Sequence, residues 1–435
     1  MIVNFKIRNI LSIRSEQCLS FEPTSDTFKT EEYCYEVKEN VKLLKIGIIY
    51  GANASGKTNI VEALAFFREL MTKSSTDKTE ELDFEPFLLD NTSKNEKSFM
   101  EMNFYLKEER YNLKIEFDKK RIYSEVLSFY PGTQPAILYD RQYDPVEDKA
   151  NVVFGGKLEL SKEDKNIISG NAINNQSVLA AFGKSNVAAS RLNIVYEYFT
   201  KGISNTLSPN VSFSAYTQKH LDNDKNGELK KFLVKFLKAS DFNIENIEIK
   251  KEEIAITPEM EKMLQIIPTS EDIKNDVLKK GTIINSELYF IHKTGIGEFS
   301  LPEGYESSGT MRFMGLGILL EQLLLQGKII PIDEVESSLH YELLSYFIKL
   351  FLLNSKKASQ LILTTHDLNL LNEDFIRRDT IWFTEKDDDN GETKLIRLSS
   401  LGLHKNLSPY NAYRQGKLVK LPFLGSLFLD IEEEE

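Results

Sequence analysis

The segment Gly51-Ala-Asn-Ala-Ser-Gly-Lys-Thr58 matches the pattern G-x-x-x-x-G-K-[ST], which is typical of a phosphate-binding loop. In such a loop the two glycines let the backbone curl, so that successive N–H groups point at phosphate oxygens. Lys57 should reach the β- and γ-phosphates of a nucleotide, and the Thr58 hydroxyl should bind Mg²⁺. We therefore predict a site for ATP and Mg²⁺ formed by Gly51, Asn53, Ala54, Ser55, Gly56, Lys57, Thr58 and Asn59.

The residues on either side of this loop favour the same interpretation. Residues 43–50 are rich in β-branched side chains and predict a buried strand, and from Thr58 onward apolar residues recur at helical spacing. A phosphate-binding loop requires a strand before it and a helix after it. That helix would also direct its positive N-terminal end at the phosphates.

An acidic pair lies far along the chain from the loop. Residues 328–334, with the sequence KIIPIDE, form an apolar run that ends in Asp333 and Glu334. A strand ending here would place Asp333 beside the loop, where its carboxylate can bind Mg²⁺ directly or through water. Glu334 would point at the γ-phosphate and polarise the attacking water, so we predict that it is catalytic. Pro331 is unusual in a central strand and indicates either a bulge or a position whose N–H is not used.

Residues 361–367, LILTTHD, form another apolar run, which ends at His366. A histidine at the carboxyl end of a core strand lies on the rim where α/β folds bind ligands. We predict that His366 is a second catalytic residue, which contacts the γ-phosphate or orders the attacking water. A packing or capping histidine would give the same pattern.

Two further segments carry serines. Glu306-Ser-Ser-Gly-Thr310 precedes a predicted helix over 310–326 and offers hydroxyls, a flexible glycine and a helix N-terminus, which together can bind an anion. An ordinary helix cap would have the same residue types. Ser337 and Ser338 follow the acidic pair in a short loop.

The order of these motifs resembles that of ATP-binding-cassette (ABC) ATPases, including the RecF, SMC and OLD-like branches. In that family two protomers sandwich two nucleotides, and the signature of one protomer completes the site of the other. The resemblance implies a signature formed by Glu306, Ser308, Gly309 and Thr310. Within it, Ser308 and Gly309 would contact the γ-phosphate bound at Lys57 of a second copy. It also implies that Ser337 and Ser338 form the D-loop at the dimer seam.

A closer resemblance links residues 1–75 and 300–425 to the AAA ATPases of abortive-infection systems of the AbiL and RloA type. It is carried by residues 5–13, 306–310, 364–367, 377–386 and 413–422. Such ATPases are generally encoded beside an effector, often a nuclease, and sense phage infection. The resemblance implies a homodimer or higher oligomer, a separate effector that is a nuclease, and a nucleic acid or phage protein as the trigger.

Strands alternating with helices predict a parallel sheet, and residues 99–139 predict an antiparallel one. With the resemblance, the predicted fold is α/β: an ABC-type P-loop ATPase core, with a mixed or parallel sheet and an antiparallel β subdomain, interrupted by a mainly helical insertion. Lys57 and Asp333 must meet at one nucleotide, so the core is discontinuous. The predicted segments are 1–155 and 296–425 for the core, 156–295 for a partner-specific insertion, and 426–435 for an acidic tail.

The composition excludes several classes of protein. The 435 residues include 54 Lys and Arg and 66 Asp and Glu, a net charge of −12, which argues against a generally basic nucleic-acid-coating protein. The only cysteines are Cys18 and Cys34, which is typical of a reduced, cytoplasmic protein. No apolar run approaches the ~20 residues that span a bilayer, so no membrane association is expected.

One motif of the ABC pattern is missing. ABC ATPases usually carry a Q-loop glutamine after the P-loop helix, but no glutamine lies between Thr58 and Gln134. Asp90 or Asn91 could replace it, although a surface loop is the favoured interpretation.

The run Asp387–Asp389 could suggest the acidic cluster of a Toprim nuclease, but its polar surroundings favour a solvated turn.

Three functions compete. The first is a dimerising ATPase that acts as sensor or switch in phage defence. The second is a RecF- or SMC-like DNA-repair ATPase. The absence of heptads argues against long coiled-coil arms of the SMC kind. Four lysines over 230–238 form either a solvated helix face or a contact surface for DNA, RNA or an acidic partner. The third is a membrane-transport ATPase subunit, which the long insertion and the RecF-like N-terminus disfavour.

Overall fold

The computed structural model describes residues 1–75, 77–266, 271–404 and 407–420. In chain order the strands are β1 (Ile2–Arg8), β2 (Gln17–Ser20), β3 (Cys34–Lys38), β4 (Val41–Leu44), β5 (Ile46–Gly51), β6 (Ser98–Leu106), β7 (Glu109–Phe117), β8 (Ile122–Tyr130), β9 (Ala136–Asp144), β10 (Lys149–Phe154), β11 (Ile244–Ala255), β12 (Thr282–Thr294), β13 (Gly297–Pro302), β14 (Ile329–Ile332), β15 (Gln360–Thr365), β16 (Ile381–Lys386) and β17 (Thr393–Arg397). The α-helices are α1 (Thr30–Tyr33), α2 (Lys57–Thr72), α3 (Lys162–Asn171), α4 (Val178–Lys184), α5 (Ser190–Glu197), α6 (Phe213–Asp222), α7 (Glu228–Lys238), α8 (Pro258–Ile266), α9 (Glu271–Lys280), α10 (Ser308–Glu321), α11 (Tyr341–Asn354) and α12 (Pro409–Arg414).

The chain forms two compact units. Unit 1 comprises Met1–Pro209, Gln322–Ser337 and Leu344–Glu435, and unit 2 comprises Asn210–Glu321 and Ser338–Leu343. The acidic tail predicted over 426–435 lies outside the described residues. None of the helices in the described part of the chain is long and apolar enough to cross a membrane.

A five-stranded sheet in unit 1 has the order β14-β15-β5-β16-β17. The first four strands run parallel, and β17 is antiparallel to β16. The central strand β5 is buried along its whole length, as its sequence IGIIYG predicts. The carboxyl ends of the four parallel strands share one edge, so the residues that follow these strands are neighbours.

A seven-stranded antiparallel sheet, also in unit 1, has the order β10-β9-β8-β7-β6-β1-β2. It confirms the predicted antiparallel β subdomain and extends it to the N-terminal strands. Helix α2, which follows the phosphate-binding loop, packs on this sheet through aromatic side chains: Phe67 contacts Phe5 with ring centroids 5.4 Å apart, and Phe66 contacts Phe117 at 5.6 Å. The described residues therefore have the mixed α/β fold that the sequence predicts.

Helices α3 to α5 fall within the insertion predicted over 156–295, but the structure groups them with unit 1. The reason is their packing on the loop helix. Phe199, which follows α5, meets Phe67 with ring centroids 5.7 Å apart, and the Arg68 guanidinium donates to the Ile203 carbonyl at 2.8 Å. Because these helices pack within unit 1, the boundary between the two units lies after Pro209. The functional boundaries of the insertion stay a prediction.

Pro331 lies in β14, which is the edge strand of the five-stranded sheet. Its carbonyl accepts from the Leu207 N–H at 3.1 Å, so its backbone polar groups face the irregular segment 203–207 and not β15. The missing N–H of proline therefore costs no hydrogen bond with β15. Of the two explanations for Pro331, the structure agrees with an unused N–H.

Unit 2 contains the three-stranded sheet β11-β12-β13 and helices α6, α7 and α10. Phe236 of α7 stacks on Phe313 of α10 with ring centroids 4.4 Å apart. Helix α10 begins two residues earlier than predicted and continues into a π-helical turn, Gln322–Gln326. The long strand β11 was not predicted, because most of its side chains are polar and at least partly exposed.

Candidate nucleotide-binding site

The phosphate-binding loop connects the end of β5 to the start of α2. Its backbone takes the left-handed conformation at Ala54 (φ 60°) and Gly56 (φ 98°), which is unfavourable for alanine and is a feature of functional loops. A Cβ atom at Gly56 would lie 2.1 Å from Thr393 Oγ1, and one at Gly51 would lie 2.2 Å from Thr384 Oγ1. Both glycines are therefore required by close packing around the loop.

Lys57 is folded back against this loop. Its ammonium donates to the carbonyl oxygens of Gly51 and Ala52, each at 3.0 Å. Burial lowers the pKa of Lys57, while the nearby charges of Glu334, Glu336 and Asp333 act in the opposite direction. A buried ammonium whose hydrogen bonds go to carbonyls gains from a closer anionic partner, which a phosphate would supply.

Asp333 meets the start of α2, as its position at the end of β14 predicts. Its Oδ2 accepts from the Thr58 hydroxyl at 2.9 Å, and its Oδ1 accepts from the Thr364 hydroxyl. Thr364 Oγ1 in turn accepts from the Glu334 N–H at 2.9 Å. Carboxylate and hydroxyl oxygens are ligands that Mg²⁺ prefers, so Thr58 and Asp333 form a pair that fits this ion.

Glu334 and His366 lie on the same edge. Glu334 has a left-handed backbone (φ 46°), and its Oε1 lies 3.5 Å from His366 Nε2. Glu336 Oε1 lies 3.4 Å from the same nitrogen. The imidazole of His366 is thus placed between two carboxylates, at the carboxyl end of β15.

These groups surround a cleft of about 520 Å³, within the range of small-molecule sites. It is lined by Ser12, Asn53, Ala54, Ser55, Gly56, Lys57, Thr58, Asn59, Glu334, His366 and Lys386. Almost all residues predicted to bind nucleotide or to act in catalysis in unit 1 therefore line one cleft. Gly51 and Asp333 adjoin it through their contacts with Lys57 and Thr58.

The predicted signature lies in unit 2, at the start of α10. The cap of this helix is Ser307, whose Oγ accepts from the Thr310 N–H at 3.0 Å, while Ser308 is the first helical residue. Glu306 Oε1 contacts His292 Nε2 at 2.6 Å. A Cβ atom at Gly309 would lie 3.1 Å from the Ser338 carbonyl oxygen, so the signature glycine packs against the predicted D-loop residue.

Two residues that line the cleft, Ser12 and Lys386, were missed in the sequence. Ser12 follows the N-terminal strands, and its hydroxyl accepts from the Asn59 amide at 2.5 Å and contacts Thr393 Oγ1 at 2.6 Å. No motif indicates this role for Ser12. Lys386 ends β16, which is parallel to β5, so the rule that ligands bind at the carboxyl ends of parallel strands could have found it.

Asp90 was considered as a replacement for the Q-loop glutamine. Its carboxylate accepts from the N–H groups of Thr92 at 2.9 Å and Ser93 at 2.6 Å, and it forms an ion pair with Arg14 at 2.9 Å. These contacts hold the turn that contains Asp90. The favoured interpretation of a surface loop agrees with them.

A family model described as AAA domain, putative AbiEii toxin, Type IV TA system, matches residues 47–372. It confirms the resemblance to AAA ATPases that the motifs indicate. No curated protein matches the chain.

Two solved structures match most of the chain at low sequence identity. The SMC head domain from Thermotoga maritima is 12% identical, with 91% of this chain and 98% of that chain covered and a TM-score of 0.41. The SmcHead bound to the C-winged helix domain of ScpA is 14% identical, with 95% and 99% covered and a TM-score of 0.37. The family model, in contrast, spans most of the sequence and includes both the phosphate-binding loop and His366. The chain therefore belongs to the family of AAA domains described as putative AbiEii toxin, Type IV TA system.

Proposed function

We propose that the chain binds ATP with Mg²⁺ in the cleft of unit 1 and hydrolyses it. The observation that carries the proposal is the hydrogen bond of 2.9 Å between Thr58 and Asp333, because it joins the two predicted Mg²⁺ ligands at the start of α2. Lys57, Glu334 and His366 line the adjoining cleft. A loop, a metal pair and a candidate base within one cleft are the parts that phosphoryl transfer needs.

Each residue has a defined task in this proposal. The loop N–H groups and Lys57 bind the phosphates, and Thr58 and Asp333 hold Mg²⁺. The ion, when bound, neutralises part of the charge on the phosphates. Glu334 accepts a hydrogen bond from the attacking water, and His366 contacts that water or the terminal phosphate.

We further propose that two protomers form composite sites, as the ABC resemblance implies. Ser307, and not Ser308, caps α10, so the hydroxyl of Ser308 is not needed for the cap. Gly309 has no side chain, which permits close approach of a phosphate to the helix N-terminus. Glu306, Thr310, Ser337 and Ser338 complete the proposed contact surface.

In the cell, the proposed role is a cytoplasmic switch in anti-phage defence that controls a separate effector, a nuclease. The family description, with its putative AbiEii toxin and Type IV TA system, supports a role in such a system. Both cysteines are free thiols, which suits a reducing compartment. The trigger in this proposal is a nucleic acid or a phage protein.

Nucleotide binding and turnover test the chemistry. Lys57→Ala should abolish ATP binding measured by calorimetry, and unchanged affinity would remove the assignment of the loop. Glu334→Gln should bind ATP without turnover and accumulate as a dimer in size-exclusion chromatography, because the site is complete but water is not activated. Full turnover by a monomer of this variant would contradict the composite sites.

A mixing experiment tests whether sites are shared between protomers. Ser308→Arg should block hydrolysis and leave ATP binding intact. A mixed dimer with Lys57→Ala contains one site with both an intact loop and an intact signature, so mixing the two inactive variants should restore activity. If the mixture is no more active than either variant alone, shared sites are wrong.

One observation favours the second candidate, a RecF- or SMC-like ATPase that acts directly on DNA. Four lysines of α7 line an open cleft of about 590 Å³: Lys230, Lys231, Lys235 and Lys238. Lys231 pairs with Glu228 at 3.0 Å and Lys238 pairs with Glu245, while Lys230 and Lys235 form no ion pair with any described residue. Salt-sensitive DNA binding that is lost in Lys230→Glu/Lys235→Glu would favour this function.

A further inference from the structure

Glu336 contacts His366, the candidate catalytic histidine of the nucleotide cleft. Its Oε1 accepts from the His366 backbone N–H at 2.7 Å and lies 3.4 Å from the Nε2 atom of the same residue. One carboxylate oxygen thus contacts both the backbone and the ring of His366. The residues that line the cleft include His366 and Glu334 but not Glu336.

The two carboxylates beside His366 differ in exposure. The side chain of Glu334 is 37% exposed and lines the cleft, whereas that of Glu336 is 16% exposed. The distances from His366 Nε2 are nearly equal, 3.5 Å to Glu334 and 3.4 Å to Glu336. The same ring nitrogen therefore lies near one carboxylate that lines the cleft and one that is more buried.

The second oxygen of Glu336 has spare capacity to accept a hydrogen bond. Its Oε2 is buried and has no hydrogen-bond partner in the part of the chain that the structure describes. An unsatisfied buried carboxylate oxygen is unfavourable, and the ring nitrogen Nε2 of His366 already lies 3.4 Å from its twin oxygen. Hydrogen bonds in catalytic sites are often long without ligand and shorten when the ligand binds.

We propose that Glu336 is the positioning residue for His366. It holds the backbone of His366 through Oε1 and, when the nucleotide binds, accepts the Nε2–H of the ring, which keeps the proton on that nitrogen and fixes the orientation of the ring. This inference rests on the proposed hydrolysis, because it assigns to Glu336 a task in presenting His366 to the terminal phosphate or its attacking water.

A second route by which Glu336 could act is electrostatic. Its charge is one of those that oppose the lowering of the Lys57 pKa by burial. If Glu336 acted mainly through Lys57, removing its charge would change nucleotide affinity. If it acts through His366, turnover falls and nucleotide affinity stays the same, so the two routes can be separated.

The experiment compares Glu336→Gln with wild type. Glutamine keeps an acceptor for the backbone N–H of His366 but loses the charge. A neutral hydrogen bond is weaker than a charge-assisted one by about tenfold in equilibrium terms, so we expect kcat to fall about tenfold with KM and ATP affinity unchanged. Glu342→Gln removes the same charge at an exposed position of α11 and should leave kcat unchanged.

A double-mutant cycle shows whether the effect passes through His366. In a His366→Ala background, Glu336→Gln should cause no further loss of turnover. An equal loss in both backgrounds, or a change in ATP affinity without a change in kcat, would overturn the proposal.

NMR signals of the His366 ring test its contact with Glu336 even where no turnover is measured. The chain has five histidines, so ring ¹⁵N signals can be assigned by substitution. Glu336→Gln should shift the signals of His366 and leave those of the other four in place. Unmoved His366 signals would contradict the proposal for Glu336, whereas an inactive wild-type chain would contradict the proposed hydrolysis instead.

Discussion

The hydrogen bond between Thr58 and Asp333 gives a quantitative prediction for Thr58→Val. Valine keeps the β-branched shape of threonine but removes the hydroxyl that donates to Asp333 Oδ2 at 2.9 Å. Two losses follow. The buried Asp333 carboxylate loses the Thr58 hydroxyl and keeps that of Thr364, and the proposed Mg²⁺ site loses a ligand.

The size of each effect can be worked out. A buried acceptor left without its donor costs about 1–3 kcal/mol, so the free energy of unfolding should fall by that amount. A contact with a charged group contributes about 1.5–3 kcal/mol, which corresponds to about 10- to 150-fold in affinity. The Mg²⁺ concentration that half-saturates ATP binding should therefore rise by about 10- to 150-fold.

The assay is calorimetric titration with ATP at a series of Mg²⁺ concentrations and in EDTA. In EDTA the variant should bind ATP about as tightly as wild type, because Lys57 and the loop N–H groups remain. Thr58→Ser keeps the hydroxyl and is the matched control, with an expected Mg²⁺ dependence close to wild type. An unchanged Mg²⁺ dependence in Thr58→Val would refute the assignment of Thr58 as a metal ligand.

Three further predictions concern buried groups. Asp379→Asn leaves the buried Arg377 guanidinium without its carboxylate partner at 2.7 Å, so urea denaturation should show a loss of about 3–5 kcal/mol. Burial alone would raise the pKa of Asp379, but hydrogen bonds, chiefly from Arg377, hold this pKa below its usual value. The stability that the Asp379 carboxylate adds is therefore complete above pH ~3.9, and it is lost as the pH falls through the lower pKa of the folded state. Gly315→Ala would place a Cβ 1.7 Å from a ring carbon of Phe213 and should destabilise the chain by about 1–3 kcal/mol in the same assay. Burial lowers the pKa of Lys57, so this lysine should lose its proton at a lower pH than an ordinary lysine with a pKa of ~10.4. ATP affinity should therefore begin to weaken at that lower pH, as titration between pH 7 and 10 can measure.

Each of these has a control and a contrary result. Asp374→Asn removes a carboxylate outside the Arg377 pair, and equal losses in both variants would contradict a special role of the pair. Gly304→Ala adds a Cβ with no atom within 4 Å and should be neutral. Lys57→Arg carries a charge that persists at high pH, so an identical pH dependence in that variant would assign the titration to another group.

Much of the site could be predicted because its residues follow strands. Asp333 and His366 directly follow β14 and β15, and Lys57 follows the loop after β5. Parallel strands bring such positions to one edge whatever their separation in sequence. The apolar runs that precede these residues reveal the strands. The roles of these residues in binding and catalysis stay predictions until they are measured.

Other parts could not be predicted, because they depend on tertiary contacts without a local pattern. The hydroxyls of Ser12 and Thr393 meet beside Gly56 although they come from opposite ends of the chain. Strand β11 has mostly polar, partly exposed residues, so hydrophobic periodicity does not reveal it. The packing of the residues after α5 on α2 likewise depends on which faces meet, and not on composition.

The edge position of β14 has a mechanical consequence for Asp333 and Thr58, the proposed metal ligands. On its outer side this strand is held by the segment 203–207, and the Asp333 N–H donates to the Leu207 carbonyl at 2.8 Å. The backbone of Asp333, a proposed metal ligand, is thus hydrogen-bonded to a segment outside the sheet. A partner that pulled on residues 203–207 could shift Asp333 away from Thr58 without touching the nucleotide. Strand β14 would then transmit a movement of residues 203–207 to the metal site.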